Sequence, residues 1–511
     1  MASVLPGIRR AAPKLSKDFF ICHRCRSTPS PTLRKVQALG NGFRSNNVRF
    51  FNTAAVPGAN PNSVFTKASP LASLSQNIAQ TGAKEHGVKQ SSFPATSSKS
   101  VAYWLLGSAA SVFGIVVFGG LTRLTESGLS ITEWKPVTGS LPPMSAADWE
   151  SEFTKYRASP EFKLLNPHMT LEEFKKIYFM EWGHRLWGRF VGLSFVLPAI
   201  YFVARRKVSK SMAFKLLGIS GLIGVQGALG WWMVKSGLKD DLFAPGSHPR
   251  VSQYRLTAHL GAAFLCYTAM LWNGLSILRD NRLVSNPARG LEKLTQLSSP
   301  QLSFFRKSVA GLALLVFITA MSGGLVAGLD AGMIYNEFPR MGKGFAPPKS
   351  ELFDKFYSRK EDGSDIWWRN MLENPSTVQL DHRILATTTF TVILSLWAYT
   401  RYSSKVRAAL PKAARKGMLG VVHLVLMQAA LGISTLIYLV PIPLAAAHQA
   451  GSIALLSGVL VLGNRVWVPR SSLRLVQNSL KQASGAKPVG PKAMRADLKA
   501  LQRNGPIVRS S

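Results

Sequence analysis

The segment VAYWLLGSAASVFGIVVFGGL, residues 101–121, decides the fold class because it is apolar throughout and holds no charged residue. About 20 such residues cross roughly 30 Å of hydrocarbon, and backbone groups in lipid must pair within their own segment. The segment is therefore predicted to be a transmembrane helix. Seven further stretches have the same character, namely residues 178–204, 212–234, 255–278, 308–329, 382–400, 417–439 and 444–467.

The charge of the connecting loops predicts the orientation of these eight spans. Three loops together hold 17 Lys and Arg against 2 acids, namely 205–215, 279–307 and 401–416. The loops on the opposite side hold 17 basic residues against 19 acids, namely 122–176, 235–253 and 330–381. Loops rich in Lys and Arg stay on the cytoplasm-like side. An even number of spans then places both termini on that side as well.

The two ends of the chain differ from its apolar middle. Residues 1–100 carry 14 Lys and Arg, only Asp18 and Glu85 as acids, and many Ser, Ala and Asn, which is typical of a mitochondrial transit peptide followed by a disordered segment. This predicts a multi-pass protein of the mitochondrial inner membrane, with its basic loops and both termini in the matrix. Residues 468–511 are predicted to be a basic matrix tail, and without interleaved aromatic residues no nucleic-acid partner is expected.

An internal repeat organises the apolar region. Five features recur in the same order, as the following pairs show: Gly119-Gly120-Leu121 with Gly323-Gly324-Leu325, the long polar loop that follows each of these, Glu181-Trp-Gly-His184-Arg185 with Gln379-Leu-Asp-His382-Arg383, Gln226-Gly-Ala-Leu-Gly230 with Gln428-Ala-Ala-Leu-Gly432, and Ala258-His259 with Ala447-His448. Because each repeat contains four spans, the two copies share one orientation in the membrane.

The repeat predicts an all-α polytopic membrane protein. Its eight transmembrane helices form two tandem four-helix bundles related by a pseudo-two-fold axis along the membrane normal. The amino-terminal half covers residues 101–278 and the carboxy-terminal half covers residues 308–467. A matrix linker, residues 279–307, joins them.

Four histidines fall at the same depth, on the second and fourth spans of each half. They are His184, His259, His382 and His448, all within about two turns of the face opposite the basic loops. Imidazole is unfavourable in hydrocarbon and is a usual axial ligand of heme iron. One such histidine alone would be interpreted as an interfacial residue, but recurrence at four matched positions favours two bis-histidine heme sites near the intermembrane space.

Charged residues beside these histidines suggest how hemes would be held and used. Arg185 and Arg189 share a helix face, and with Arg383 they are candidates to pair with heme propionates, the alternative being lipid-headgroup anchoring. Glu181 lies one turn before His184, whereas the matching residue before His382 is Gln379. A buried carboxylate favours a reactive site in the amino-terminal half, although a salt bridge from Glu181 to Arg185 remains open.

The run from Gly119 to Pro136, GGLTRLTESGLSITEWKP, with Gly139-Ser-Leu-Pro-Pro143, Glu181-x-x-His184-Arg185 and His448-Gln449, closely resembles the mitochondrial heme A synthase family over residues 100–467. The resemblance implies oxidation of the C8 methyl of heme O to a formyl group, giving heme A for cytochrome c oxidase. It implies His184 and His259 as ligands of the substrate heme, His382 and His448 as ligands of a resident heme b, and Glu181 as the catalytic carboxylate.

The resemblance also implies a ferredoxin-type electron donor, and it brings in heme O synthase and a second copy of the chain as candidate partners. Many bacterial members carry a cysteine pair in the loop that corresponds to residues 122–176, where this chain has none. Two other classes of protein stay open. A cytochrome b that only transfers electrons explains the histidines but not the Glu181/Gln379 difference, and a repeat-built transporter would use the histidines as a relay.

Overall fold

The computed structural model of the protein describes residues 93–243 and 249–483. Within these ranges the regular structure is helical, apart from one isolated β-bridge between Met341 and Gly344. The predicted transit peptide as far as residue 92, and the tail after residue 483, lie outside the described residues.

Fifteen α-helices follow one another in the described residues, eight of them long. In chain order they are α1 (Lys99–Leu124), α2 (Ala146–Arg157), α3 (Pro160–Leu165), α4 (Leu171–Ala204), α5 (Lys210–Gly237), α6 (Gln253–Ser285), α7 (Pro287–Ser298), α8 (Ser303–Gly328), α9 (Lys349–Leu352), α10 (Ile366–Glu373), α11 (Pro375–Tyr402), α12 (Ser404–Ala409), α13 (Lys412–Ile437), α14 (Ile442–Val466) and α15 (Arg470–Ala483). The long helices α1, α4, α5, α6, α8, α11, α13 and α14 match the eight predicted spans.

Seven of these eight helices are long and apolar enough to cross a membrane. The remaining one, α11, is 28 residues long but opens with the polar run PSTVQLDHR, residues 375–383. Its crossing therefore stays a prediction, since its composition alone does not establish it.

Two helices, α4 and α11, begin seven residues earlier than the hydropathy pattern predicts, because polar caps and not apolar content set their starts. At α4, Thr170 and Glu173 form a capping box in which each side chain accepts a hydrogen bond from the other residue's backbone N–H. At α11, the Asn374 side chain accepts from the Ser376 N–H, and Pro375 occupies the first helical position. Both helices thus extend beyond the apolar segment at the end that carries the histidine.

The long helices pack in the same cyclic order within each repeat. In the first set, α1 contacts α4 and α6, while α5 contacts α4 and α6. In the second set, α8 contacts α11 and α14, while α13 contacts α11 and α14. The two sets meet where α6 contacts α8, α14 contacts α1, and α6 contacts α14. The first and fourth helices of each set consequently form the centre of the bundle.

The core and the outer surface of this bundle are both apolar. Buried side chains such as Phe195, Met270 and Phe305 fill one continuous cluster between the helices. Leu197 and Phe214 are among many large apolar side chains that stay more than half exposed on the outside. An exposed apolar surface of this extent is suited to contact with lipid tails.

Shorter helices extend the fold at both ends of the bundle. The predicted linker contains α7, against which α15 packs through a buried cluster of Leu283, Leu294, Leu473 and Val476. The first part of the predicted basic tail is thus an amphipathic helix docked on the linker. At the other end, α2 and α3 pack onto the start of α4 through Phe153, Tyr156 and Phe174.

Candidate functional site

The four predicted histidines lie at one end of the bundle, where the connections 125–170, 238–252 and 329–374 join the helices. We call this the long-loop end. His259, His382 and His448 each sit in the second turn of their helices, and His184 sits farther along α4, which starts beyond the bundle. Each histidine is half-buried as a whole. The Nδ1 atoms of His184, His259 and His448 are fully buried without a hydrogen-bond partner, so the exposed surface of these residues lies away from Nδ1.

Each imidazole packs against a glycine on the preceding long helix. A Cβ atom added at these glycines would lie 2.8 to 3.2 Å from the histidine Cε1, in the pairs Gly119 with His184 (2.8 Å), Gly230 with His259 (3.1 Å), Gly323 with His382 (3.2 Å) and Gly432 with His448 (2.8 Å). Real Cβ contacts essentially never fall below 3.0 Å and are seldom as short as 3.2 Å, so a larger residue would displace the ring at Gly119 and Gly432 and crowd it at Gly230 and Gly323. Because the four glycines are those of the repeated motifs, the repeat places all four rings in the same way.

Two glutamines of the repeat, one in each half, bind the fourth long helix of that half at its histidine. The Gln226 side-chain amide donates to the backbone carbonyl of His259 at 2.8 Å. The Gln428 amide donates to the carbonyl of His448 at 2.9 Å. In the sequence these glutamines only mark the repeat, whereas in the structure they position the helices that carry His259 and His448.

The separation of the histidines in the carboxy-terminal half matches that of two ligands on one iron. The ring centroids of His382 and His448 are 6.4 Å apart, with ring planes at 87°. Two imidazoles that bind one metal ion through Nε2 have centroids about 6 Å apart, because each metal–nitrogen bond is about 2.0 Å long. The residues therefore fit a bis-histidine heme. In the amino-terminal half, His184 instead has Phe118 parallel to its ring, at 6.3 Å and 9°.

Glu181 is buried, with only 3% of its surface exposed, and both of its carboxylate oxygens accept hydrogen bonds. Oε1 accepts from Arg185 at 2.6 and 3.0 Å. Oε2 accepts from the Ser130 hydroxyl and from the Ile131 N–H, each at 2.7 Å. The salt bridge that the sequence left open is thus present, and the loop after α1 supplies two further donors. Four donors hold this carboxylate as a fixed negative charge.

Gln379, the repeat counterpart of Glu181, makes a weaker set of contacts. Its amide donates to the Tyr335 carbonyl at 2.8 Å, while its Oε1 is buried without a hydrogen-bond partner. Both residues therefore tie the loop that precedes their helix to the bundle, but only the amino-terminal half does so with a charge.

The three candidate arginines bind loop carbonyl oxygens. Arg185 donates to Ile131 and Glu133, Arg189 to Lys135 and Pro136, and Arg383 to Tyr335, Glu337 and Arg340, all at 2.7 to 3.1 Å. Arg185 and Arg383 hold the corresponding loop in each half, a function that the sequence did not predict. Pairing of these arginines with propionates stays a prediction.

Contacts near the histidines also join the two halves. The Gln449 amide, next to His448, donates to the Val116 carbonyl at 2.9 Å and lies in close contact with Gly120. On the loop side, Arg250 bonds both Glu126, at 2.7 Å, and Asp330, at 3.2 Å. The two halves are therefore linked directly at the level of the candidate ligands.

The amino-terminal loop carries a second buried carboxyl outside the long helices. Glu161 begins the short helix α3 and is 5% exposed, and it accepts a hydrogen bond from the Tyr156 hydroxyl at 3.0 Å. Burial raises the pKa of Glu161 to about 7. This group could not be predicted from the sequence, because its burial depends on how α2 and α3 pack onto α4.

The fold and the position of the histidines indicate the class of protein, and comparison with known proteins identifies the family. The helical fold of the described residues, with seven candidate spans, defines a polytopic membrane protein, and its four matched histidines form a candidate cofactor site. The family of cytochrome oxidase assembly proteins named COX15-CtaA matches residues 102–460. The chain therefore belongs to this family.

Similar proteins carry names that describe one activity. The chain is 53% identical over 388 residues to "Heme A synthase COX15" of Saccharomyces cerevisiae, which covers 76% of this chain and 79% of that protein. It is 51% identical over 391 residues to the "Heme A synthase-mitochondrial ferredoxin fusion protein" of Schizosaccharomyces pombe, covering 76% of this chain and 63% of that protein. It is 43% identical over 362 residues to "Heme A synthase" of the bacterium Nitrosospira multiformis, covering 71% and 92%.

Proposed function

We propose that the protein is a heme A synthase, an oxidoreductase that converts the C8 methyl of heme O into the formyl group of heme A. The observation that carries this proposal is the set of four histidines, each packed on a glycine of a repeated motif, in a chain of the COX15-CtaA family. We take the product to serve cytochrome c oxidase, as the name of the family suggests.

The two halves have different functions in this proposal. His184 and His259 would bind the iron of the substrate heme O, and His382 with His448 would bind a resident heme b. The 6.4 Å separation of the second pair supports the resident site, where a heme would be held between two fixed ligands. When bound, heme b supplies one-electron redox chemistry. Arg185, Arg189 and Arg383 are proposed to meet propionates with donors not used by the loops.

Glu181 is the proposed catalytic residue. Removal of electrons from the methyl-bearing ring leaves positive charge on the carbon that is being oxidised, and the negative charge of Glu181 can stabilise it. Its four hydrogen bonds occupy both oxygens, which suits a fixed electrostatic group better than a proton acceptor. As the family resemblance implies, oxidation passes through the alcohol and the hydrated aldehyde, which loses water to give the formyl group. Each of the two oxidations would take up one dioxygen as oxidant, two electrons from the ferredoxin-type donor and two protons, and would release one water.

The membrane topology proposed here has eight spans in two tandem four-helix bundles, over residues 101–278 and 308–467. Both bundles have the same cyclic order of contacts. When the two halves are interchanged, the contact of α6 with α8 corresponds to that of α14 with α1. This correspondence supports a pseudo-two-fold axis along the membrane normal. The loop charges support a mitochondrial inner-membrane protein with both termini in the matrix and the histidines toward the intermembrane space.

A ferredoxin-type protein is the proposed electron donor. One relative is named as a fusion of heme A synthase with a mitochondrial ferredoxin, which supports transfer of electrons between these two partners. Heme O synthase, which would deliver the substrate, and a second copy of the chain are further partners that we propose on the resemblance alone.

Turnover by a Glu181→Gln variant tests the proposal. Membranes supplied with heme O and a reduced ferredoxin should form heme A with the wild-type chain. The variant should keep both hemes but lose activity by on the order of a hundredfold, which is typical when a charge-stabilising group is removed. Glu172→Gln is the matched control, since Glu172 is an exposed residue on the same helix. Full activity of Glu181→Gln would refute the catalytic role.

A further inference from the structure

We propose that Ser322 is a positioning residue that fixes His382 as a permanent heme ligand, and that Phe118, at the matched position, leaves His184 free to release its heme. This inference rests on the proposed function and assigns a cause to the difference between the two halves. It concerns exchange of the heme, whereas Glu181 concerns the oxidation itself.

The hydrogen bonds of Ser322 define the tautomer of His382. The Ser322 hydroxyl is buried, and its oxygen lies 2.8 Å from His382 Nδ1 and 2.8 Å from the Thr319 carbonyl. A carbonyl only accepts, so the single hydroxyl proton is donated to Thr319. The serine oxygen must then accept from His382, whose Nδ1 carries the proton. Nε2 then carries no proton, and its free lone pair is available to bind iron.

The matched histidine of the other half, His184, lacks such a partner. Among the described residues, Nδ1 of His184 is buried and makes no hydrogen bond. His259 and His448 on the fourth helices lack a side-chain partner at Nδ1, but each ring interacts with the backbone of Gln226 or Gln428. Alignment of Gly119 with Gly323 places Phe118 opposite Ser322 in the repeat. A phenyl ring cannot accept the Nδ1 proton as a hydroxyl does, and it lies parallel to the His184 ring instead. Of the two matched histidines, only His382 therefore has a side-chain partner that fixes both its tautomer and its ring orientation.

This difference suits a resident heme on one side and an exchanging heme on the other. A hydrogen bond to the second ring nitrogen orients a ligating histidine and makes it more basic, and its loss typically weakens metal binding by about 10 to 100-fold. A substrate heme must enter and a product heme must leave. A histidine without this hydrogen bond binds iron less tightly, so less free energy is needed to break its bond to iron.

Ser322→Ala tests the proposal through heme b itself. We expect heme b to transfer to an excess of apomyoglobin about 10 to 100-fold faster than from the wild type. The low-spin electron paramagnetic resonance signal of oxidised heme b should change, and its reduction potential should rise, because a less basic ligand stabilises ferric iron less. Ser322→Thr keeps the hydroxyl and should restore all three properties. Thr400→Val is the control, because Thr400 is buried on α11 and bonds a carbonyl but no histidine.

The reciprocal variant Phe118→Ser should give His184 a partner and slow the release of heme from the amino-terminal half. Heme b loss, resonance signal and potential that are unchanged in Ser322→Ala would overturn the proposal, as would an equal change in Thr400→Val. A wild-type protein that binds heme b but does not oxidise heme O would contradict the proposed function, yet the Ser322 comparison would still be decided.

Discussion

The two histidine sites have the same scaffold but different surroundings. Both halves place each ring on a glycine and anchor the loop with an arginine, so the scaffold is a property of the repeat. The amino-terminal half adds Glu181, a fixed buried charge, and an apolar neighbour for its first histidine. The carboxy-terminal half has a neutral amide at Gln379 and a hydroxyl at Ser322. The two halves therefore share one scaffold and differ in the neighbours of their histidines, which is the difference that the proposed division into a reactive and a resident site requires.

The largest effect that tests the difference between the two sites is expected from replacing the proposed heme ligands. His382→Ala should abolish heme b binding and, with it, turnover, because one axial ligand of the resident heme is lost. His184→Ala should retain heme b and abolish only turnover. Heme b content can be measured by the pyridine hemochrome spectrum of the purified variants. Loss of heme b to the same extent in both variants would contradict the division of functions.

A graded effect is expected from the glycines under the rings. Gly432→Ala would place Cβ 2.8 Å from His448 Cε1, whereas Gly323→Ala would place it 3.2 Å from His382 Cε1. The closer contact cannot be accommodated without moving the ring. We expect Gly432→Ala to lose heme b faster than Gly323→Ala, measured by transfer to apomyoglobin. The reverse order would show that the glycines do not set the ring positions.

A smaller effect is expected when the carboxy-terminal half is given the carboxylate that the amino-terminal half has at Glu181. In Gln379→Glu, a carboxylate oxygen would replace the amide that donates to Tyr335, so a buried acceptor would face a carbonyl. The expected loss of stability is about 1 to 3 kcal/mol, seen as a lower melting temperature in detergent. Gln379→Asn, which keeps an amide, is the control. A variant as stable as the wild type would mean that the two loops are not held in the same way.

The smallest effect is a pH dependence that differs between the two loops. Burial raises the pKa of Glu161 to about 7, so its stabilising contribution is present below about pH 4.5 and is lost as the pH rises through 7. The Ser358 hydroxyl and Arg369 lower the pKa of Asp365 in the other loop, so that contribution is lost only as the pH falls into the acid range.

Hydrogen exchange, corrected for its intrinsic pH dependence, measures this contrast. Between pH 6 and 8 the segment 146–165 should become less protected, while the segment 354–373 should not change. Glu161→Gln should remove the change in the first segment. Equal behaviour of both segments would contradict the environments described for these two carboxyl groups.

Much of the helical scaffold follows from the sequence, because apolar length and repeated motifs are local signals. The eight long helices and the four histidines were predicted, and seven candidate spans are confirmed. The starts of α4 and α11 were misplaced, since Thr170 and Asn374 extend these helices beyond their apolar segments. Hydropathy does not contain that information.

The contacts around the four histidines could not be predicted from the sequence, since they join residues far apart in the chain. Ser130 and Ile131 reach Glu181 only because the loop after α1 folds back onto α4. Ser322 did leave a trace in the sequence. It interrupts the repeat where Phe118 stands in the first copy, which is the same kind of mismatch that drew attention to Glu181 and Gln379.

The central claim is that matched histidine pairs hold two hemes with different fates. Chromatography of the hemes extracted from the purified wild-type protein, after supply of heme O, tests it most directly. We predict heme b in constant amount, together with heme O and heme A in proportions that follow the supply of substrate and electrons. Heme b alone, under every supply of heme O, would contradict this account and favour a cytochrome that only transfers electrons.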